Sequence, residues 1–492
     1  MKTIKRSIAL VLAMVLTLAM SITVFADTAK TYSIKITNAV AGHTYEAYQI
    51  LAGDLDSTET KLSNVTWGAG VTADGQAALG DATAYAEALA NVTSNSDAAT
   101  AEANKLNAYL GTATGSVSVP TDSANVDYTI DGLPAGYYLV KDKDNSLAGT
   151  DDSYTSYILM VVKDQEVAPK SSTTTVEKKV KDTNDTTGAT TDWQDSADYD
   201  IGDDVPFELT ATLAENVSAY KTYKLVFHDT LSAGLTYNND YKVTIDGKDV
   251  TEAFTASYEG TELTFSCDDV IALGATNKSV VKVDYSAKLN DNAVIGAAGN
   301  PNDVYLEFSN NPNSNGEGET GNTPKDTVIV FTYKVVINKV DENQNPLKGA
   351  GFTLYKKLAD GSQKEISYVE IGDDQTTVFT FTGLDDGDYV LKETKTPDGY
   401  NTIADQEFTI KADHDVDSAD PKLIDLTGDV TTGSINFTPT LDEGSLNTTV
   451  INQSGSVLPS TGGAGRVAIY VIGAILVIGG GIVLVTKKRV RG

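Results

Sequence analysis

Apolar and polar residues alternate in short runs along most of the chain, and this period of two predicts β-strands that each bury one face. In the first third of the sequence such runs lie at 32–36, 45–50, 128–130, 136–140 and 157–162. Between 77 and 110, Ala, Leu and Tyr instead recur at helical spacing. We therefore predict a β-domain that carries one or two inserted amphipathic helices.

A buried lysine is predicted in the strand at 175–180. Lys178 alternates there with Val176 and Val180, so its side chain is expected to point into the core while Lys179 points outward. An inward lysine on a first strand needs polar partners, because an unpaired buried charge is costly.

Two polar residues at the ends of later runs are candidate partners of this lysine. Asp229 lies in the run at 225–231, and Asn310 continues the apolar face of the run at 304–309. We predict that Lys178, Asp229 and Asn310 meet in one core. Asn311 is the alternative to Asn310, because a β-bulge would shift the alternation by one residue.

The length of 492 residues and the composition indicate a mainly all-β protein of several domains. Many Tyr, Thr and Val residues lie in short segments between clusters of Gly, Asn and Asp. We predict tandem β-sandwich domains at 27–170, 171–325 and 326–455, called the first, second and third segments below. The first would carry the helical insertion.

The beginning of the chain has the pattern of a secretory signal peptide. Basic residues at Lys2, Lys5 and Arg6 precede an apolar stretch at 8–18, and a small-residue cleavage site ends at Ala26. We predict that residues 1–26 are removed and that the mature protein is secreted.

Charge and composition exclude several functions. A net charge of −31 disfavours binding to nucleic acid, which needs clustered basic residues. The single cysteine, Cys267, cannot form an intrachain disulfide. His43, His228 and His414 lack the spacing of zinc ligands, so neither a zinc site nor a cofactor is expected. The acidic clusters at 373–374 and 385–388 lack the spacing of an EF-hand and are more typical of solvated turns, with a calcium ion as the alternative. No nucleophile elbow or phosphate loop is present, and we predict that the protein is not an enzyme.

The end of the chain carries a pentapeptide followed by an apolar run. The pentapeptide consists of Leu458, Pro459, Ser460, Thr461 and Gly462. The apolar run at 467–485 and the basic tail after it predict a transmembrane helix within 458–492. This arrangement resembles the LPxTG sorting signal of Gram-positive surface proteins. The resemblance implies that a sortase cleaves between Thr461 and Gly462 and transfers the Thr461 carboxyl to an amine.

A lysine at the first domain boundary is the expected acceptor amine. Pro169 favours extended backbone at its neighbours, so Lys170 is expected in extended chain. The segment at 167–170 resembles the pilin motif of sortase-assembled pili, with Ala168 where that motif has Tyr. The resemblance implies that Lys170 receives the Thr461 carboxyl of a neighbouring subunit.

The third segment contains a second triad of lysine, acid and asparagine. The sequence at 389–394 and the strands around Lys339 and Asn452 resemble the collagen-adhesin B-type (CnaB-like) domain, whose YxLxET segment is called the E-box in pilins. The resemblance implies an isopeptide bond between Lys339 and Asn452, with Glu393 as the catalytic acid. Burial favours the neutral amine that attacks the carboxamide, and the folded core supplies proximity.

By the same chemistry, Lys178 and Asn310 would be joined with the help of Asp229 in an immunoglobulin-like, CnaA-like second segment. No bond is predicted in the first segment, because Lys35 alternates with Ile34 and Ile36 and so points away from the core.

Together these features predict the major shaft subunit of a covalently polymerised pilus, which supports adhesion and colonisation at a Gram-positive cell wall. The resemblance implies as partners the pilus-specific and housekeeping sortases, identical subunits, minor tip and base pilins, and peptidoglycan, with a host receptor or glycan as a further candidate. The alternative is a wall-anchored adhesin with an LPxTG signal that is never polymerised.

Overall fold

The computed structural model describes residues 30–58, 61–93, 96–123, 126–155, 158–169, 171–314, 319–366, 375–455 and 464–489. The predicted signal peptide at 1–26, the acceptor Lys170 and the pentapeptide from Leu458 to Gly462 lie outside these residues. Strands predominate, as the alternating pattern predicted.

The first segment forms two sheets and a helical insertion. Its elements are β1 (Tyr32–Ala39), β2 (Thr44–Leu55), β3 (Leu62–Trp67), α1 (Ala73–Leu79), α2 (Ala82–Leu89), α3 (Asp97–Asn107), β4 (Gly115–Ser118), β5 (Val126–Leu133), β6 (Gly136–Asp142), β7 (Ile158–Val162) and β8 (Gln165–Val167). One sheet has the order β5-β1-β8, and the other has the order β3-β2-β6-β7 with β4 paired to β2. The side chains of Thr72, Asp81 and Ser96 cap the three helices at their N-termini.

The second segment is a sandwich of two larger sheets. Its strands are β9 (Thr175–Val180), β10 (Thr183–Asn184), β11 (Ala189–Thr190), β12 (Ser196–Asp198), β13 (Asp204–Thr212), β14 (Leu225–Leu231), β15 (Leu235–Ile245), β16 (Lys248–Asp249), β17 (Thr255–Glu259), β18 (Glu262–Cys267), β19 (Val280–Leu289), β20 (Asn300–Ser309), β21 (Thr320–Asn322) and, beyond the predicted boundary at 325, β22 (Asp326–Phe331). Short 3-10 turns lie at Val217–Ala219, Thr251–Ala253 and Pro312–Ser314.

The two sheets of this sandwich enclose one apolar core. One has the order β16-β15-β19-β13-β9, and the other has the order β12-β22-β20-β14-β18-β17 with β21 paired to β20. Lys178 on β9 is fully buried, whereas Lys179 is partly exposed, so the predicted directions of these two side chains are confirmed. Cys267 is a free thiol and is buried in this core.

The third segment is a smaller sandwich. Its strands are β23 (Tyr333–Asp341), β24 (Gly351–Lys357), β25 (Gln363–Ile366), β26 (Val378–Leu384), β27 (Gly387–Lys395), β28 (Gln406–His414), β29 (Leu423–Thr432), β30 (Thr438–Thr440) and β31 (Ser445–Asn452). A sheet with the order β26-β23-β31-β30 faces a sheet with the order β25-β24-β27-β28-β29. The strands β23 and β31, first and last in the chain, are parallel neighbours.

Polar contacts join the second and third segments. Lys356 on β24 is fully buried and forms ion pairs with Asp385 of its own segment and with Asp185 and Asp200 of the second segment. These carboxylates hold the pKa of Lys356 above its ordinary value despite burial, so the side chain is charged.

The last described residues form helix α4 (Ala464–Arg489). The sequence analysis predicted a membrane-spanning helix here. Among the residues that the structure describes, no helix combines the length and apolar character required to cross a bilayer, so this prediction is not supported.

Candidate functional site

Lys339, Glu393 and Asn452 meet in the third segment. Lys339 on β23 pairs in parallel register with Val450 on β31, and Asp341 pairs with Asn452. Lys339 and Asn452 therefore lie on the same face of adjacent strands, two register positions apart, and side chains at such diagonal positions are within reach of each other. Glu393 is contributed by β27 of the opposite sheet.

The contacts of these three side chains suit an attack by the amine on the carboxamide. The Asn452 Nδ2 donates to Glu393 Oε1 at 2.9 Å and to Oε2 at 3.1 Å. The Lys339 amine donates to the carbonyls of Val340 and Val450 at 3.1 and 3.2 Å. All three side chains are at least nine-tenths buried. Within the described part of the chain, the buried Asn452 Oδ1 has no hydrogen-bond partner.

Burial also selects the reactive form of this lysine. Loss of solvent lowers the pKa of Lys339 to about 8, although the nearby Glu393 carboxylate acts in the opposite direction. A substantial fraction of the amine is then neutral near neutral pH, and only the neutral amine has the lone pair needed for attack.

A second buried site lies between the sheets of the second segment. The Lys178 amine contacts Asp229 Oδ2 and donates to the Tyr285 hydroxyl at 3.1 Å. The same hydroxyl donates to Asp229 Oδ2 at 3.0 Å and accepts from Asn302 Nδ2 at 2.8 Å. Lys178, Asp229, Tyr285 and Asn302 therefore form one connected group, in which Tyr285 links the lysine to the asparagine.

The electrostatics of this second site favour uncharged partners. Burial lowers the pKa of Lys178 and raises the pKa of Asp229, and in both cases this loss of solvent outweighs the attraction between the two groups. A neutral amine beside a protonated carboxyl is the pair needed for attack on a carboxamide. Among the described residues, neither Asp229 Oδ1 nor Asn302 Oδ1 has a hydrogen-bond partner, although both are buried.

Asn310 does not join this group. Its Nδ2 donates to the carbonyls of Leu147 and Asp152 at 2.9 and 3.1 Å, and its own carbonyl accepts from Tyr154 N at 2.8 Å. Asn310 therefore fastens a loop of the first segment to the second. Asn302 and Asn310 are eight positions apart along the chain, which is about 26 Å in an extended strand.

The alternative acceptor, Asn311, is also engaged elsewhere. Its Nδ2 lies 3.4 Å from Glu319 Oε1, and its Oδ1 accepts from Asn313 N at 3.0 Å. The prediction that Asn310 or Asn311 meets Lys178 is therefore wrong. The contacts place Asn302 there instead.

Asn302 and Tyr285 were missed by the sequence analysis. Asn302 has the same parity as Val304 and Leu306, so alternation alone could have included it. The missing information was the register between β14 and β20. Asp229 pairs with Val304 and Leu231 pairs with Asn302, so the Asp229 carboxyl lies near the start of β20, where Asn302 is, and not near its end. Nothing in the local sequence distinguishes Tyr285 from the other tyrosines.

In the first segment Lys35 lies on the outer face of β1. Its amine pairs with Asp127 at 2.7 Å and with Glu166 at 3.2 Å, and its side chain is 37% exposed. Ile34 and Ile36 are buried on the opposite face, as the alternation predicted.

The sandwich fold, the buried lysine sites and the terminal motif are similar to those of one class of protein, the Gram-positive backbone pilins. Residues 201–312 match the model described as the Gram-positive pilin backbone subunit 2, Cna-B-like domain. Residues 333–422 match a prealbumin-like fold domain, and residues 451–490 match the LPXTG cell wall anchor motif. These matches confirm the resemblance to sortase-assembled pilins and the predicted location at the cell wall. The model that matches the second segment is Cna-B-like, whereas a CnaA-like segment was predicted.

Particular relatives support the same class. The chain is 28% identical over 276 residues to the trypsin-resistant surface T6 protein of Streptococcus pyogenes serotype M6. The match covers 51% of this chain and 47% of that protein, so this chain spans about half the length of the curated relative that it matches.

Two solved structures share the fold. The T6 backbone pilin of serotype M6 Streptococcus pyogenes, described as a modular three-domain structure, gives a TM-score of 0.57 at 20% identity and covers 87% of this chain and 100% of that chain. The full-length major pilin SpaD from Corynebacterium diphtheriae gives a TM-score of 0.51 at 17% identity, with 88% and 99% covered. Both of these structures are described as pilins.

Proposed function

We propose that this protein is the major structural subunit of a pilus that is covalently polymerised and anchored to the cell wall. The observation that carries the proposal is the presence, in one chain, of a pilin backbone match at 201–312 and an LPXTG anchor match at 451–490. The first, second and third segments are proposed as its domains, preceded by a signal peptide at 1–26.

In this proposal a sortase joins the Thr461 carboxyl of one subunit to the Lys170 amine of the next. The same two groups recur in every subunit, so the joining is head-to-tail and produces an open filament rather than a closed ring. Minor tip and base pilins, a housekeeping sortase and peptidoglycan are the further partners. A host receptor or glycan would be contacted by the assembled filament.

Each of two segments is proposed to contain an internal isopeptide bond. The lysine nitrogen attacks the carbonyl carbon of the asparagine side chain and forms a new carbon–nitrogen bond. The bond from that carbon to the asparagine amide nitrogen breaks. The amide NH2 group takes one proton from the lysine nitrogen and leaves as ammonia. Lys339 and Asn452 react beside Glu393, and Lys178 and Asn302 react beside Asp229. The contacts of Asn452 with Glu393 and of Lys178 with Asp229 support these pairs.

The polymer can be tested in cells that express this chain together with its pilus sortase. Wall extracts should contain a ladder of species that resist sodium dodecyl sulfate, and Lys170→Ala should abolish the ladder because it removes the acceptor amine. Lys163→Ala is the matched control, since it removes a nearby lysine of the same segment and should leave the ladder intact.

A single anchored band from the unchanged protein would instead support the adhesin that is never polymerised. A ladder that persists in Lys170→Ala would assign the acceptor to another lysine.

The rate of the Lys339–Asn452 reaction should depend on pH. The pKa of Lys339 is about 8. At pH values below this pKa, the neutral fraction of the amine rises about tenfold per pH unit, and at pH values above it the fraction levels off. Chain that accumulates in insoluble form and is kept in denaturant can be refolded at different pH values. The cross-linked peptide is then quantified by mass spectrometry after timed quenching. A rate that falls as the pH rises from 6 to 8 would contradict a neutral-amine mechanism.

A further inference from the structure

Three metal-ligating side chains meet where the second and third segments join. Asp182 lies between β9 and β10, Asp198 ends β12, and His414 ends β28. One donor atom from each lies within 4.8 Å of the other two. We call these residues the junction cluster. Its members are far apart in sequence, which is why the spacing of the histidines gave no indication of it.

The hydrogen bonds of His414 fix which ring nitrogen is available. The Ser196 hydroxyl lies 2.5 Å from the carbonyl of Asp415 and 2.7 Å from His414 Nδ1. A carbonyl only accepts, so the single hydroxyl proton goes to Asp415, and the Ser196 oxygen accepts from Nδ1–H. In the neutral ring the Nε2 lone pair is then free, as in a metal-binding histidine oriented by a second hydrogen bond.

This lone pair faces oxygen atoms rather than donors. The Nε2 lies 3.8 Å from Asp182 Oδ2, and a cation between these two atoms would be held by the lone pairs of both. Asp198 is 98% buried, and within the described residues its Oδ2 has no hydrogen-bond partner. The same holds for Asp182 Oδ1 among those residues. A buried carboxylate oxygen without a partner is costly, and a bound cation would satisfy it.

A neighbouring group of acidic side chains differs from the junction cluster. The neighbouring group of Asp185, Asp200 and Asp203 has similar spacing but is neutralised, because Lys356 and Lys364 form ion pairs with Asp200. Only the junction cluster combines a free imidazole lone pair with unpaired carboxylate oxygens among the residues that the structure describes.

The geometry points to a binding site for a divalent transition-metal ion, with His414 Nε2 and carboxylate oxygens of Asp182 and Asp198 as ligands. One nitrogen and two carboxylates suit zinc or manganese, whereas calcium and magnesium prefer oxygen ligands alone. Two ligands come from the second segment and one from the third. The ion would therefore bind the two segments together at the point where Phe331 leads from one sandwich into the next.

The site can be tested with zinc chloride and the full chain, after treatment with a chelator and its removal. Isothermal titration calorimetry should show one saturable site per chain, and the melting temperature should rise with zinc. His414→Ala and the isosteric Asp198→Asn should each weaken zinc binding at least about tenfold. Ser196→Ala should weaken it about tenfold as well, because the hydrogen bond that orients the imidazole is lost.

His228→Ala and Asp203→Asn are the matched controls. His228 stacks on Tyr305 outside the cluster, and Asp203 belongs to the neutralised neighbouring group, so both variants should bind zinc like the unchanged chain. Absence of saturable binding would overturn the proposal. The proposal would also be overturned if His414→Ala and Asp198→Asn both bound zinc as tightly as the unchanged chain does. A third contradicting result would be calcium binding that is as tight as zinc binding and that persists in His414→Ala.

Discussion

Replacing Glu393 by alanine is expected to leave Lys339 and Asn452 unjoined, so that the variant chain retains the ammonia molecule that it would lose if this bond formed. Glu393 is the side chain that holds the Asn452 carboxamide, through contacts of 2.9 and 3.1 Å, and no other carboxyl makes that contact among the described residues. Intact mass and peptide mapping of the purified chain measure the result.

The same variant should be less stable. The proposed bond closes a loop of more than a hundred residues, and a disulfide that closes a loop of this size contributes about 4 to 5 kcal/mol to the free energy of unfolding through the entropy of the unfolded chain. Glu365→Ala is the control, because Glu365 lies on the same sheet but is exposed. Recovery of the Lys339–Asn452 peptide from Glu393→Ala would show that Glu393 is not needed.

Asn302→Ala is expected to abolish the bond of the second segment, whereas Asn310→Ala should leave it intact. Asn302 shares the Tyr285 hydroxyl with Lys178, and Asn310 instead holds the loop around Leu147 and Asp152. The two variants lose the same side-chain atoms from the same strand region, so each is the control for the other. Peptide mapping for a cross-link at Lys178 distinguishes them.

Asn310→Ala should have a different effect, which is weaker attachment of the first segment. Faster proteolysis or hydrogen exchange around Leu147 to Tyr154, with the cross-link at Lys178 retained, is the expected result. Loss of that cross-link in Asn310→Ala but not in Asn302→Ala would contradict the assignment of Asn302.

Alternation predicted which side chains point inward but not where along a strand they meet. Lys178 is buried as its parity required, and Lys339 and Asn452 are buried as the resemblance to the CnaB-like domain implied. Parity repeats every two residues, so it could not choose between Asn302 and Asn310. That choice depends on the pairing of β14 with β20, and on the commitment of Asn310 to contacts with the first segment. Both are tertiary facts that the local sequence does not encode.

The junction cluster shows the same limit for contacts between segments. His414 lies more than two hundred positions from Asp182, and its tautomer depends on Ser196 and Asp415. A motif search detects ligands at fixed local spacing, whereas these ligands are assembled only when two sandwiches dock. The helical insertion was easier to predict, because helical spacing and capping residues such as Asp81 and Ser96 are local.

The parallel pairing of β23 with β31 determines how a stretched filament would carry load. The two strands are in register from Lys334 and Ser445 to Asp341 and Asn452. With the proposed bond in place, tension that enters at Tyr333 passes along β23 to Lys339. It then crosses the bond to Asn452 and leaves the third segment there. The chain from 340 to 451 bears none of that tension. Turns in this interval can therefore accept insertions without reducing the tensile strength of the proposed filament.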